Sequence, residues 1–188
     1  MCHPLLSDTR LYAVLLRIDE DLAATARAEG CPQCGGVVHC ANYPRKPRGG
    51  PAGLSDAESL RFSFCCAREG CRSRKKPLSV RFLGRRVYLG MAVFLALTFE
   101  GPLSVRRVAR LRDRLGVDER TLRRWRVWWR EIFAKGPFWK EARAAFVPPV
   151  EASRLPLSLL ERFVASDERN RVAQVLRWLS PLSVPGAF

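Results

Sequence analysis

The chain has 188 residues, 47% of them hydrophobic, which suffices for one ordinary domain or two small ones in contact and is too apolar for wholesale disorder. Thirty-three Lys and Arg against eighteen Asp and Glu leave a net charge of +15, which points to an anionic partner, nucleic acid before a membrane surface. Residues 1–8 lack a basic start followed by an apolar run, and the longest apolar stretch, 87–99, falls short of the roughly 20 residues that span a bilayer. The expectation is a cytoplasmic protein with reduced thiols, neither exported nor membrane-bound.

Leu11, Val14, Leu15, Ile18, Leu22 and Ala26 recur at helical spacing and predict a helix over 10–29, stopped by Gly30. A C-x-x-C turn follows, Cys31 to Cys34, and 36–43 reads as a short strand. Segment 44–59 is rich in proline and glycine and reads as a loop with a basic front half, Arg45, Lys46 and Arg48. Residues 60–66 alternate apolar and polar and predict a strand running into a second cluster, Cys65, Cys66 and Cys71. A basic run with Arg74, Lys75 and Lys76 comes next, and 77–83 reads as a third strand with Val80 and Phe82 on one face.

From 86 onward the period is helical. Residues 87–99 predict a buried apolar helix. A second helix is expected over 103–115, opened by Ser104 and lined by Val105, Val108, Ala109, Leu111 and Leu115, and a third over 119–134 with Asp118 as its N-cap. Residues 137–156, punctuated by Pro137, Pro148, Pro149 and Pro156, read as a partly helical connector. Short amphipathic helices are expected at 157–165 and 168–179, the second capped by Ser166 or Asp167, before an irregular end.

Seven cysteines, five of them in two clusters, in a chain expected to keep its thiols reduced, point to a metal rather than to disulfides. Thiolates suit zinc, which takes four ligands in a tetrahedron. Cys31, Cys34 and Cys71 supply three. Strand alternation lets only one of Cys65 and Cys66 reach the metal, and Cys66, sharing a face with Phe62 and Phe64, is favoured. Alternatives are a site that recruits His39, or a set of buried thiols without metal. Four protein ligands leave no open coordination position, so the one zinc is expected to be structural.

Residues 115–125, Leu-Gly-Val-Asp-Glu-Arg-Thr-Leu-Arg-Arg-Trp, have the rhythm of a helix-turn-helix. Leu122, Trp125, Trp129, Ile132 and Phe133 gather on one side of the helical projection, and Arg120, Arg123, Arg124 and Val127 on the other. Arginines on that outer face can bond guanine edges or phosphates. Arg112, four residues before the turn glycine, is large where a small residue is usual and is expected to widen the crossing. Trp128, at the border of the apolar arc, is the one tryptophan kept as a stacking or interface candidate.

The order of these parts resembles the N-terminal DNA-binding region of certain bacterial insertion-sequence transposases. Cys31, Cys34, Phe64, Cys66, Cys71, the stretch 77–82 and residues 115–125 carry the resemblance, which covers about 31–133. It implies a transposase-related or transposon accessory factor that binds DNA. Such transposases go on to a ribonuclease-H-like domain with three metal-binding carboxylates. The residues after 134 are too few and too proline-rich for it, and no other catalytic arrangement stands out, so no enzyme is expected.

The expected fold is α+β, mostly α: a small zinc ribbon of three short antiparallel strands packed with a helix-turn-helix bundle. Its parts are a packing helix (1–30), the ribbon with its basic loop (31–84), the helix-turn-helix (85–136) and a connector with a C-terminal helical pair (137–188). The nucleic-acid surface is expected to use Arg45, Lys46, Arg48, Arg74, Lys75, Lys76, Arg120, Arg123 and Arg124. DNA is the expected partner, beside a transposase or recombinase encoded nearby. The alternatives are an RNA-binding ribbon module and an adaptor for a transposase or polymerase.

Overall fold

Helix α1 (Thr9–Ala28) is the longest element of the chain, which is seen here in a computed structural model that describes residues 4–45, 48–50, 54–83, 89–98 and 103–184. Asp8 caps α1, its side chain accepting from the Arg10 N–H at 2.9 Å. Leu11, Leu15, Asp19, Ala23 and Ala26 form its buried stripe, and Gly30 ends it in the left-handed region at φ 70°.

The strands are short and all antiparallel. Strands β1 (Val38–Cys40), β4 (Phe64–Cys66) and β5 (Arg74–Lys75) make one sheet in the order β1-β4-β5, while β2 (Tyr43–Pro44) pairs with β3 (Leu60–Arg61). The register sets Val38 opposite Cys66 and His39 opposite Cys65. The loop expected over 44–59 contains a single turn of helix, α2 (Asp56–Ser59), fixed by a capping box between Ser55 and Glu58.

The third strand is not where alternation placed it. It is the basic run, Arg74–Lys75, and 77–83 is irregular apart from a bridge between Phe82 and Leu89. Val80 and Phe82 are buried, but so are Ser79 and Arg81, so this segment has no solvent face. The reason is local: the Ser79 hydroxyl accepts from the N–H groups of Arg81 and Phe82, both at 3.2 Å, and curls the backbone away from ladder geometry.

Helix α3 (Gly90–Leu95) is buried at every residue but shorter than the 87–99 expected: Ala96 caps it and 97–98 leave the helix, while 87, 88 and 99 lie outside the described residues. Helices α4 (Val105–Leu115) and α5 (Glu119–Val127) follow, and the chain continues from α5 into a wider π-type turn over Trp128–Phe133. That turn carries both Trp128 and Trp129 inward, with ring centroids 4.7 Å apart and edge to face. Trp128 is therefore core, 3% exposed, and not a stacking surface. Ile132 and Val105, assigned to apolar faces, are instead exposed. Arg112 points to solvent beside Asp113 and does not widen any crossing.

Helices α6 (Pro137–Ala142), α7 (Leu157–Leu160) and α8 (Glu168–Trp178) complete the chain, α7 shorter than the 157–165 expected, and Ser180–Ser183 forms a closing turn. One apolar core runs from Leu5 to Leu182 and draws on all four segments that the sequence suggested. Cross-ties close it: Arg169 donates to Asp8 at 3.0 Å, and the Ser79 N–H to Ser183 Oγ at 2.9 Å. A second, smaller cluster joins Ala23 and Ala26 of α1 to Cys31, Val38, Phe64 and Cys66. No helix among the described residues is long and apolar enough to cross a membrane.

Between the two clusters lies a buried ion pair. Asp19 is 0% and Arg81 1% exposed, with Arg81 Nε 2.8 Å from Asp19 Oδ2. Asp19 also accepts from Ser79 Oγ and the Val80 N–H, both at 2.6 Å. The remaining nitrogens of Arg81 donate to the carbonyls of Ala57, Glu58 and Leu60. Buried charge survives only when its hydrogen bonds are met in this way.

Candidate metal centre and nucleic-acid interface

The first cysteine pair sits in the turn that ends α1. Cys31 donates its N–H to the Gly36 carbonyl and accepts from the Gly35 N–H, both at 2.9 Å. Gly30 cannot carry a side chain there: its φ is positive, and a Cβ would lie 3.1 Å from the carbonyl oxygens of both Gly35 and Gly36. The second pair comes from the end of β4 and the turn after it, where Gly70 takes φ 82° and brings Cys71 back.

The four sulfurs of Cys31, Cys34, Cys66 and Cys71 lie within 4.8 Å of one another. Cys31 and Cys71 are 3.7 Å apart, and Cys34 and Cys66 3.5 Å. A tetrahedron of thiolates about 2.3 Å from zinc has edges of about 3.8 Å, so the two short edges fit a four-sulfur metal site. The choice between Cys65 and Cys66 falls to Cys66. Cys65 Sγ turns away toward the Arg72 carbonyl at 3.6 Å, and Cys66 is 1% exposed against α1. Cys40 and His39 stay exposed outside the cluster, and Cys2 lies outside the described residues.

The thiols polarise one another. The Gln33 N–H pulls the Cys31 thiol down against its burial, helped by the Cys34 N–H and the neighbouring sulfurs, to about 6. At Cys66 the Arg68 N–H pulls the same way, but burial and the sulfurs of Cys34, Cys31 and Cys71 outweigh it and push the thiol up to about 12. At Cys71 the pull of the Ser73 N–H likewise loses to Cys34, burial and Cys31. Four thiols this close cannot all ionise on their own; a cation relieves the repulsion, so binding a metal releases protons.

The expected nucleic-acid residues divide. Lys75 is spent on the fold: its ammonium donates to the carbonyls of Ala26 and Gly30 at 2.8 and 3.2 Å and to Glu29 at 2.8 Å, closing the C-terminal end of α1. Arg45 is half-buried, its guanidinium 5.2 Å from the Phe82 ring centre. Arg48, Arg74 and Lys76 are exposed, and Lys46 lies outside the described residues.

Arg120, Arg123 and Arg124 do come together. Gly116 ends α4 at φ 61°, Val117 is fully buried, and Asp118 opens α5 by accepting from the Thr121 N–H at 2.6 Å. The Thr121 N–H and hydroxyl hold the Asp118 carboxyl below the usual range. Leu122 and Trp125 anchor the inner side, and the three arginines line an open groove of about 900 Å³ on the outer side. Sequence reasoning missed Asp19, Arg61 and Arg81. Their only signal is one acid on the apolar stripe of α1, since both arginines sit in alternating stretches where they read as solvent-facing. Against these features, no family model matches the chain, and neither a curated protein nor a solved structure matches it.

Proposed function

We propose that this chain is a zinc-dependent DNA-binding protein in which the four-cysteine centre holds the fold and the outer face of α5 contacts the duplex. The observation that carries the reading is the groove on α5, where Arg120, Arg123 and Arg124 converge beside the capped turn Gly116 to Asp118. Around it, residues 102–130 hold ten arginines, Arg106, Arg107, Arg110, Arg112, Arg114, Arg120, Arg123, Arg124, Arg126 and Arg130, against Asp113, Asp118 and Glu119. Such a surface gains affinity from counterion release. Cys31, Cys34, Cys66 and Cys71 would hold the zinc. Four thiolates complete its shell, so its contribution is to folding and not to chemistry on a substrate. The order of parts that resembles insertion-sequence transposases is the ground for proposing a mobile-element setting, with a transposase or recombinase as partner.

Anisotropy titrations of duplex DNA and structured RNA over a salt series test the reading. Replacing Arg120, Arg123 and Arg124 by Ala should weaken DNA binding at least tenfold. It should also lower the slope of log affinity against log salt by about 2 to 3, near 0.9 for each lost phosphate contact. Unchanged affinity and slope, or a preference for RNA, overturns it.

A further inference from the structure

The groove on α5 is not uniformly basic. Beyond its three arginines it is lined by the acids Asp118, which caps α5, and Glu119, which pairs with Arg123, and by Val127 and Ile132, 55% and 53% exposed, with Trp128 at the floor. The other exposed large apolar side chains among the described residues, Val37, Val105, Val147 and Val164, lie outside this groove. The arginines also differ among themselves. Arg123 donates from Nε and Nη2 to Glu119 at 3.0 and 2.6 Å, and Arg124 Nη2 is aimed by Thr121 Oγ1 at 2.9 Å. Arg120 forms no ion pair among the described residues. The outer stripe therefore has a cationic end, led by Arg120 and Arg124, and an apolar end at Val127. Seven residues of helix separate Arg120 from Val127, about 10 Å, or three base-pair steps.

Phosphates alone would leave the apolar end without a partner. The floor of the major groove of DNA offers one apolar group, the C5-methyl of thymine. Uracil lacks that methyl, and the major groove of A-form RNA is too deep and narrow for side chains to read. Resting on the DNA-binding reading above, we infer that Val127 packs on a thymine methyl while Arg124, about one step away, and Arg120, about three steps away, hold guanine edges or phosphates. The target is thus thymine-bearing duplex DNA, and Val127 is a specificity-determining residue. The charge of the arginine rim matches the duplex that brings the methyls in.

The test begins by selecting bound sequences from a random duplex pool with the metal-loaded protein, then replacing thymine by deoxyuridine in the selected duplex. Affinity should fall about fourfold for each contacted methyl, the value of one buried methyl group. Val127→Ser, a change at an exposed position, should bind the two duplexes equally, and Arg120→Ala should weaken both alike. Equal binding of both duplexes by the unaltered protein overturns the inference, as does a thymine preference that survives in Val127→Ser. Light scattering on the same samples adds another check: if Val127→Ser turns a dimer into a monomer, the groove holds a second copy and the inference falls. Failure to enrich any duplex would overturn the DNA-binding reading itself, a result distinct from loss of the thymine preference.

Discussion

Replacing Asp19 by Ala should cost this protein about 4 kcal/mol. The substitution strands Arg81, 1% exposed, as a buried cation, and it removes the acceptor of Ser79 Oγ and of the Val80 N–H. Breaking a buried ion pair from one side costs about 3–5 kcal/mol, and the space left by the carboxylate admits water to the two stranded donors, so they add little to that range. For a chain of this size the loss corresponds to a melting temperature lower by about 10 °C. Urea unfolding of the metal-loaded protein, followed by tryptophan fluorescence, measures it directly, because Trp129 is buried with its Nε1 on the Val93 carbonyl at 3.2 Å. The companion variant is Asp19→Leu with Arg81→Met. Removing both charges leaves no stranded ion, so this pair should lose less than Asp19→Ala alone. A loss below about 1 kcal/mol for Asp19→Ala, or strictly additive single effects in the pair, would refute the account of Asp19 as the acceptor that organises 79–81.

Cys71→Ser should abolish stoichiometric metal binding, measured as metal per chain by mass spectrometry, from about one in the parent protein to near none. Protons compete with the metal for thiolates, so the parent should release its metal as pH falls from 7.5 toward 5 and take it up again on return. Asp8 titrates below the carboxyl value of 3.8: burial pushes it up, but the Arg169 guanidinium and the Arg10 N–H outweigh that. A depressed acid stabilises the fold above its unfolded pKa and loses that contribution as pH falls through the folded value. Asp8→Asn should therefore cost about 0.5 kcal/mol at pH 7, and less as pH falls below about 4, read from paired urea curves. Gly116→Ala meets no atom within 4 Å, so only its left-handed backbone opposes the change; the loss should be about 1 kcal/mol, and smaller for Gly116→Asn.

Much of the site was readable because it is written locally. A C-x-x-C turn between glycines, a cap followed by a helix, and an apolar stripe at helical spacing each depend on a few neighbouring residues. They located α1, the four cysteines whose sulfurs come together and the start of α5. What escaped depends on partners far apart in sequence. Asp19 and Arg81 are 62 residues apart, and nothing in 77–83 distinguishes a strand with solvent-facing polar residues from a buried turn whose polar residues face an aspartate. Lys75 reads as one more cation in a basic run until the end of α1 is set beside it. Trp128 fails for another reason: the widened turn after Val127 breaks the period on which its placement relied.

The two clusters imply an order of events as the chain is made. The cysteines that meet at the metal site fall between 31 and 71, so that centre is complete once a short N-terminal stretch is available. The main core needs Leu155, Leu159, Leu160, Val172, Leu176 and Leu182, and its ties to Asp8 and Ser79 come from Arg169 and Ser183. Local contacts form before distant ones because less chain entropy opposes them. On the proposed metal-binding reading, the four-cysteine cluster is placed to assemble first, with Lys75 holding the end of α1, while the apolar face of that helix waits for its partners. On that reading, metal supply during synthesis, more than afterwards, is expected to govern how much of this chain reaches its folded form.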